Sequence, residues 1–346
     1  MRREPNDRPS ADAPISEQAL IAEFWVPLAA DFPGAFSLKD DCATIACPPG
    51  GELVVTTDGL IAGVHFLPGE DAFSVGWKAL AVNVSDLTAK GATPLAYLMS
   101  VALPEAPERA WLARFAEGLA AAQHAFGCHL AGGDTDRTPG PLSVTITAFG
   151  VVPAGRMVRR GGGRPGDHVY VSGTIGDAAL GLALKRDTDT RARWGLDDKA
   201  YRYLEGRFSR PRPPTALAPV LLACASAAMD VSDGLVKDFG SLCGAAGLGG
   251  QIEAARVPLS EAARLVIASG GASLADLVTG GEDYEVLAAV PADRVEAFEQ
   301  LAATADTRVT RIGVVEPNAA GIVMLDDAGT AMTFERRGWD HFDQRV

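Results

Sequence analysis

The chain has 346 residues, 47 % of them apolar and 22 % charged, with a formal net charge of −13. That is the composition of a soluble globular protein with room for two ordinary domains. The acidic excess argues against nucleic acid and anionic membranes as partners, and a phosphorylated substrate would also be repelled unless cations intervene.

Five cysteines, Cys42, Cys47, Cys128, Cys224 and Cys243, form an odd set without a CxxC pair. Neither a disulfide framework nor a zinc ribbon is expected, and a reduced cytoplasm is the natural compartment. The first fourteen residues, MRREPNDRPSADAP, are polar and proline-rich, which predicts a loose tail without the apolar run of a signal peptide. No run of about twenty apolar residues could span a bilayer.

Residues 15–30 read as a first helix, with Ile15, Leu20, Phe24 and Leu28 near helical spacing. Strands are expected at 52–57 and 61–66. SVGWKALAVNVSDLTAKG is a helix with Trp77, Leu80, Val84 and Leu87 as its apolar stripe and Gly91 at its end. YLMSVAL at 97–103 is a strand. A long helix follows, with Trp111, Phe115, Leu119 and Phe126 inward, then CHLA leading into GGDTDR and the strand LSVTITAFGVV.

VPAGRMVRRGGGRPGD is glycine-rich, basic and without periodicity, so it marks a boundary. Beyond it come a strand HVYVSG, a turn GTIGD and a helix AALGLALKR. Residues 187–200 read as a polar loop and RFSRPRPP as a linker or turn. PTALAPVLLACAS is helical, AAMDVSDG joins a strand to a helix, and LVKDFGSLCGAAG is that helix. GGEDYEVLAAV turns into a strand, and the last forty residues read as strands and a tail. Strands alternate with helices in both halves, so the fold class is mixed α and β (α+β). The expected organisation is a tail over 1–14, an N-terminal sheet-plus-helices domain over 15–153 and a C-terminal α/β domain over 154–346.

Acidic residues recur at element junctions: Lys39-Asp40-Asp41, Thr56-Thr57-Asp58, Gly132-Gly133-Asp134-Thr135-Asp136, Asp230-Val231-Ser232-Asp233-Gly234 and Gly281-Glu282-Asp283. Asp86 differs in lying within a helix, on one face with Asn83 and Lys90. A single acidic turn is ordinary turn chemistry. Several together suggest a shared rim of carboxylates, whose mutual repulsion a hard cation such as Mg²⁺ relieves. Metal ions would also let an acidic protein bind acidic substrates, as in phosphoryl transfer.

Other motifs fail on context. There is no G-x-x-x-x-G-K-[ST] and no Gly-x-Ser-x-Gly. Gly161, Gly163 and Gly166 fit G-x-G-x-x-G but precede a strand, so the run reads as flexible, with Arg159 and Arg160 available to an anion. SGTIGDAAL enters a helix whose first N–H groups could hold phosphate, or is a plain tight turn. His124, Cys128 and His129 read as structural residues.

The ordered motifs DDCA, TTDGLIAGVHF, WKALAVNVSDLTAKGATP, GGDT, GDHVYVSGTIGDAALGL, MDVSDGL, GGEDYE and the late RGWDHF resemble the thiamine-monophosphate kinases, in the superfamily of aminoimidazole-ribonucleotide synthetase. The resemblance runs from about residue 37 to Phe342. It implies transfer of the γ-phosphate of ATP to thiamine monophosphate, direct and in line, with several Mg²⁺ ions and no phosphoenzyme. It assigns Asp41, Thr56, Thr57, Asp58, Asp86, Asp134, Asp230 and Asp233 to metals. Gly133, Arg160 and Ser232 would contact ATP, and His65, Glu282 and Trp339 the substrate. It further implies a homodimer that pairs through its N-terminal domains. Lys39 and Asp136 depart from the family's usual residues. A related synthetase with another acceptor, or a nucleotide-binding protein without turnover, are the rival readings. No cysteine precedes Asp40, which disfavours selenophosphate synthesis.

Overall fold

A computed structural model describes residues 15–105, 108–317, 321–340 and 342. The expected tail over 1–14 lies outside the described residues. In chain order the elements begin with α1 (Glu17–Leu20), β1 (Gly51–Ile61), α2 (Ala72–Ala89), β2 (Thr93–Leu103), α3 (Arg109–Phe126), β3 (His129–Arg137) and β4 (Ser143–Pro153). Then come β5 (His168–Ser172), α4 (Asp177–Arg186), α5 (Thr190–Arg193), α6 (Asp198–Ser209), α7 (Ala218–Cys224), β6 (Ala227–Val231) and α8 (Leu235–Gly244). The last are β7 (Gly249–Glu253), α9 (Glu261–Ala268), α10 (Leu274–Thr279), β8 (Glu285–Val290), α11 (Val295–Thr304), β9 (Val309–Glu316) and β10 (Ile322–Leu325).

Two sheets result, a four-stranded one in the order β1-β4-β2-β3 and a six-stranded one in the order β10-β7-β9-β5-β8-β6. The mixed α-β class expected from alternation is therefore the observed one. The second sheet is mixed: β5, β6, β8 and β9 pair antiparallel, whereas β10 joins β7 in parallel. The edge strand β6 (AAMDV) and its neighbour β8 (EVLAAV) are buried at every position, because both faces are covered. Alternation along β5 sends Val169 and Val171 into one apolar cluster with Phe239 of α8, and Tyr170 into another with Phe298 of α11.

The described residues form two compact units, interleaved along the chain. One draws on the described residues up to Ala46, over Thr57–Leu80 and within 96–147, the other on Cys47–Thr56, Ala81–Leu95 and the described residues from Ala148 onward.

Four expectations need correction. The helix over 15–30 is broken into α1, a π-type turn over Ile21–Trp25 and a 3-10 turn over Val26–Ala29, since Pro27 cannot donate an intrahelical bond. The strands at 52–57 and 61–66 are replaced by one, β1, which ends at Ile61. Thr57, Asp58 and Gly59 are thus strand residues and not a strand end. Residues 61–66 form a tight turn in which Gly63 N donates to the carbonyl of Phe66 at 2.8 Å. GGDTDR is likewise part of a strand, β3, paired in parallel with β2. Finally, the polar stretch 187–200 holds α5 and the start of α6, whose first turn is capped by Asp197 accepting from Ala200 N at 2.7 Å.

Candidate active site

In the second unit, Thr56, Asp86, Lys90, Arg159, Arg160 and Gly161 line a cleft of about 510 Å³. Thr56 lies on β1 and its Oγ1 donates to Asp86 Oδ2 of α2 at 2.5 Å. One residue earlier on the helix, buried Ser85 donates to Asp230 Oδ2 at 2.8 Å. Asp230 is 4 % exposed, near the end of β6. Lys90 donates through Nζ to the carbonyl of Ala228 on the same strand at 2.7 Å. Burial and the neighbouring Arg160 draw the Lys90 ammonium down to about 8, against the pull of Asp230 and Asp86. Two carboxylates, two hydroxyls and three basic side chains therefore share one locality.

The glycine run that brings in Arg160 is closely packed, which corrects the reading of it as flexible. A Cβ on Gly162 would stand 2.0 Å from the carbonyl oxygen of Ser226, so only glycine lets this backbone lie against the start of β6.

Beyond Asp230 the chain turns through Ser232 and Asp233 into α8. Asp238 Oδ2 accepts from the amides of Ser232, Asp233 and Gly234 at 3.0, 3.0 and 3.1 Å. Burial pushes the Asp238 carboxyl up to about 7 although these amides favour its ionised form. Asp233 is left outward and pairs with Lys237 at 2.8 Å. The amide of Trp339 donates to the Asp233 carbonyl at 2.8 Å, and Lys237 Nζ donates to the Trp339 carbonyl. The indole is 40 % exposed. Glu282 N donates to the Ser232 carbonyl at 2.7 Å. Thus Asp230, Ser232, Asp233, Glu282 and Trp339, scattered over more than a hundred positions of sequence, gather around the end of β6.

The turn at SGTIGDAAL, open to either reading from sequence, is filled by the protein itself. Asp283 Oδ2 accepts from Gly176 N at 2.8 Å and its Oδ1 from Ala178 N at 3.4 Å. The alternative reading, a plain structural turn, is the observed one.

The first unit holds the remaining assigned residues. Thr57 donates to the carbonyl of Ile146 on β4 at 3.1 Å, so its proton is committed to the sheet while its oxygen keeps lone pairs. Asp58 is exposed on β1, and Asp41 is exposed in a bend. Asp41 follows three consecutive left-handed residues, Phe36, Ser37 and Leu38. Asp134 lies exposed on β3 and accepts from Thr135 N at 2.9 Å. A Cβ on Gly133 would stand 1.8 Å from the Met99 carbonyl oxygen. His65 Nδ1 accepts from Ile61 N at 3.0 Å, which leaves the proton of the neutral ring on Nε2. Buried Lys78 supports the same turn by donating to the His65 carbonyl at 2.8 Å. Asp136 is exposed on β3. Among the described residues no group of three or more His, Cys, Asp or Glu side chains stands together as a metal-holding cluster. Cys128 is fully buried.

Lys90 and Asp238 were not among the assigned site residues. Lys90 shares a helix face with Asp86, and that spacing is the signal in the sequence. Asp238 gave none beyond its position four residues after Gly234 in the first turn of α8.

The AIR synthase related protein N-terminal domain matches residues 39–152 and the C-terminal domain of the same family matches residues 164–326. The chain is 39 % identical over 305 residues to the thiamine-monophosphate kinase of Salmonella typhimurium, covering 88 % of this chain and 91 % of that one. It superposes on the crystal structure of thiamine-monophosphate kinase from Stenotrophomonas maltophilia with a TM-score of 0.76, at 37 % identity, covering 85 % and 91 % of the two chains. AaThiL complexed with AMPPCP and TMP gives a TM-score of 0.73 at 32 % identity, covering 94 % of this chain and 97 % of that one.

Fold and site together define a two-domain enzyme of the AIR synthase related class. Within that class the chain belongs to the thiamine-monophosphate kinase family, whose members are phosphotransferases.

Proposed function

We propose that this chain transfers the γ-phosphate of ATP to thiamine monophosphate, forming thiamine diphosphate. The observation that carries the reading is the joining of Thr56 to Asp86 and of Ser85 to Asp230 beside Lys90 and Arg160. That arrangement offers oxygen ligands and cationic donors in one place, as phosphoryl transfer requires. AaThiL, 32 % identical, was solved with an ATP analogue and thiamine monophosphate together, which supports both substrates here.

The donor set suits Mg²⁺. Asp86, Asp230 and the Thr56 hydroxyl are hard oxygen donors, and Asp233, Asp41, Thr57, Asp58 and Asp134 are the further candidates. When bound, several Mg²⁺ ions would neutralise charge on the transferred phosphoryl group. The protein's own part is positioning. Arg160, Gly133 and Ser232 contact the nucleotide. His65, Glu282 and Trp339 hold the acceptor, with the half-exposed indole of Trp339 as a stacking surface for its aromatic ring. With no side chain assigned as a nucleophile, the phosphoryl group passes directly in line between the two substrates.

A homodimer is part of the proposal. The four-stranded sheet exposes Leu53, Val55, Ile61 and Leu98, an apolar set that a second copy would cover. Five free cysteines fit a cytoplasmic setting, and the charge of −13 disfavours nucleic acid and anionic membrane as partners.

Incubation of the purified protein with ATP, Mg²⁺ and thiamine monophosphate, followed by chromatographic product analysis, tests the reading. Thiamine diphosphate is the expected product. Folded protein that makes none, or that phosphorylates only an aminoimidazole ribonucleotide precursor, would overturn it.

A further inference from the structure

Arg207, on α6, sits among three buried carboxylates that the proposed chemistry does not use. Asp177, Asp283 and Glu285 are 0 %, 1 % and 5 % exposed. Arg207 Nη2 donates to Glu285 Oε1 at 2.7 Å and to the backbone carbonyl of Asp283 at 3.2 Å. Its Nε stands 4.0 Å from Asp177 Oδ2 and lacks a hydrogen-bond partner. Burial disfavours the charge on this guanidinium, yet Glu285, Asp283 and Asp177 hold its pKa above the ordinary value.

These contacts converge on the GGEDYE turn. Glu282 and Tyr284 have φ of 72° and 52°, left-handed conformations that residues with a side chain rarely adopt. Their amides donate to the carbonyls of Ser232 and Val231 at 2.7 and 2.8 Å. Between them, the Asp283 carboxylate is anchored at the start of α4. Just after them, Glu285 is held by Arg207 on one oxygen and by Ser172 on the other at 2.6 Å. A connection from α10 to β8 with no further duty would take glycine at left-handed positions. A strained backbone persists where its surroundings over-determine it, and such strain gathers at functional sites.

We infer that Arg207 is a positioning residue for substrate recognition: by bridging the Asp283 carbonyl and the Glu285 carboxylate, it holds the left-handed turn that presents Glu282 beside Ser232 and Asp233. The inference rests on the proposed role of Glu282 in binding the acceptor. Arg207 itself touches neither substrate nor reacting atoms.

The test uses the full chain with Arg207→Met and Arg207→Lys. In the Met variant the KM for thiamine monophosphate rises roughly tenfold or more, from loss of a charged hydrogen bond, while the KM for ATP stays within about twofold. Lys restores the charge without the fork and recovers part of that loss. Independently, amide hydrogen exchange in the substrate-free protein speeds up by about tenfold or more across residues 282–286 in Arg207→Met. Should the Met variant fail to fold, Arg207→Lys alone is read by the same two measurements. Unchanged exchange across the turn, or equal change in both KM values, overturns the inference. Exchange needs no turnover, so faster exchange in a protein inactive toward thiamine monophosphate would uphold the clamp and reject the proposed function.

Discussion

Thr56 and Asp86 are joined side chain to side chain at 2.5 Å, linking strand β1 to helix α2 across thirty positions of sequence. Asp86 is half-buried at the cleft, with its neighbour Ser85 fully buried against Asp230. The carboxylate's charge and the threonine's proton are thus placed together by two rigid elements, an arrangement that keeps a side-chain oxygen fixed.

Asp86→Asn keeps the size of the side chain and removes its charge. Steady-state assay with ATP, Mg²⁺ and thiamine monophosphate should show turnover lower by about a hundredfold or more, with thermal stability nearly unchanged. Activity close to normal would reduce Asp86 to a hydrogen-bond acceptor for Thr56. Asp58→Asn, at an exposed position of β1, should behave in the same way.

Ser85→Ala takes away the hydroxyl that donates to buried Asp230. Urea denaturation should show a loss of about 1–3 kcal/mol, the cost of leaving a buried acceptor short of a donor. An unchanged midpoint would mean that Asp230 is satisfied by its other surroundings.

Lys90 gives a pH dependence with a definite sign. Its folded-state value, about 8, lies below the ordinary lysine value of 10.5. The folded protein therefore prefers the neutral amine, a contribution that is present above pH 10.5 and lost as pH falls through 8. Lys90→Met carries no such loss, so its stability relative to the native chain should improve between about pH 10 and pH 7, by at most about 3 kcal/mol. A stability difference that does not vary with pH over this range would count against the depressed value.

Trp339→Ala removes a side chain that is 40 % exposed and supports little of the core. The KM for thiamine monophosphate should rise by about tenfold, on the scale of an aromatic stacking contact, with the KM for ATP unchanged. A rise confined to ATP would place the indole on the nucleotide instead.

Gly162→Ala tests the close approach beside Arg160. With only 2.0 Å between the added carbon and the Ser226 carbonyl oxygen, the backbone must shift. A fall in melting temperature of several degrees and a higher KM for ATP are expected together, since the same segment carries Arg160.

The sequence carried the class of fold and the kind of chemistry. Alternation of strands and helices is a local signal, and continuous apolar runs such as VLAAV mark a sheet buried on both faces. Its errors were local too. TTDG reads as a strand end because Asp and Gly favour turns, yet β1 continues through them because β4 lies alongside and Thr57 bonds to it. The polar stretch before Arg207 reads as a loop because its few apolar residues show their use only when α6 packs on α4.

By itself the sequence determined that acids would recur beside apolar strands and that the ordered motifs belong to one family. Tertiary structure alone decided which acids serve which purpose. Ser85 reaches Asp230 over 145 positions, while Asp283 and Asp238 are spent on amides at the starts of α4 and α8. The physical reason is that exposed N–H groups at a helix start attract any anion, and only the folded chain determines whether its own carboxylate arrives there first.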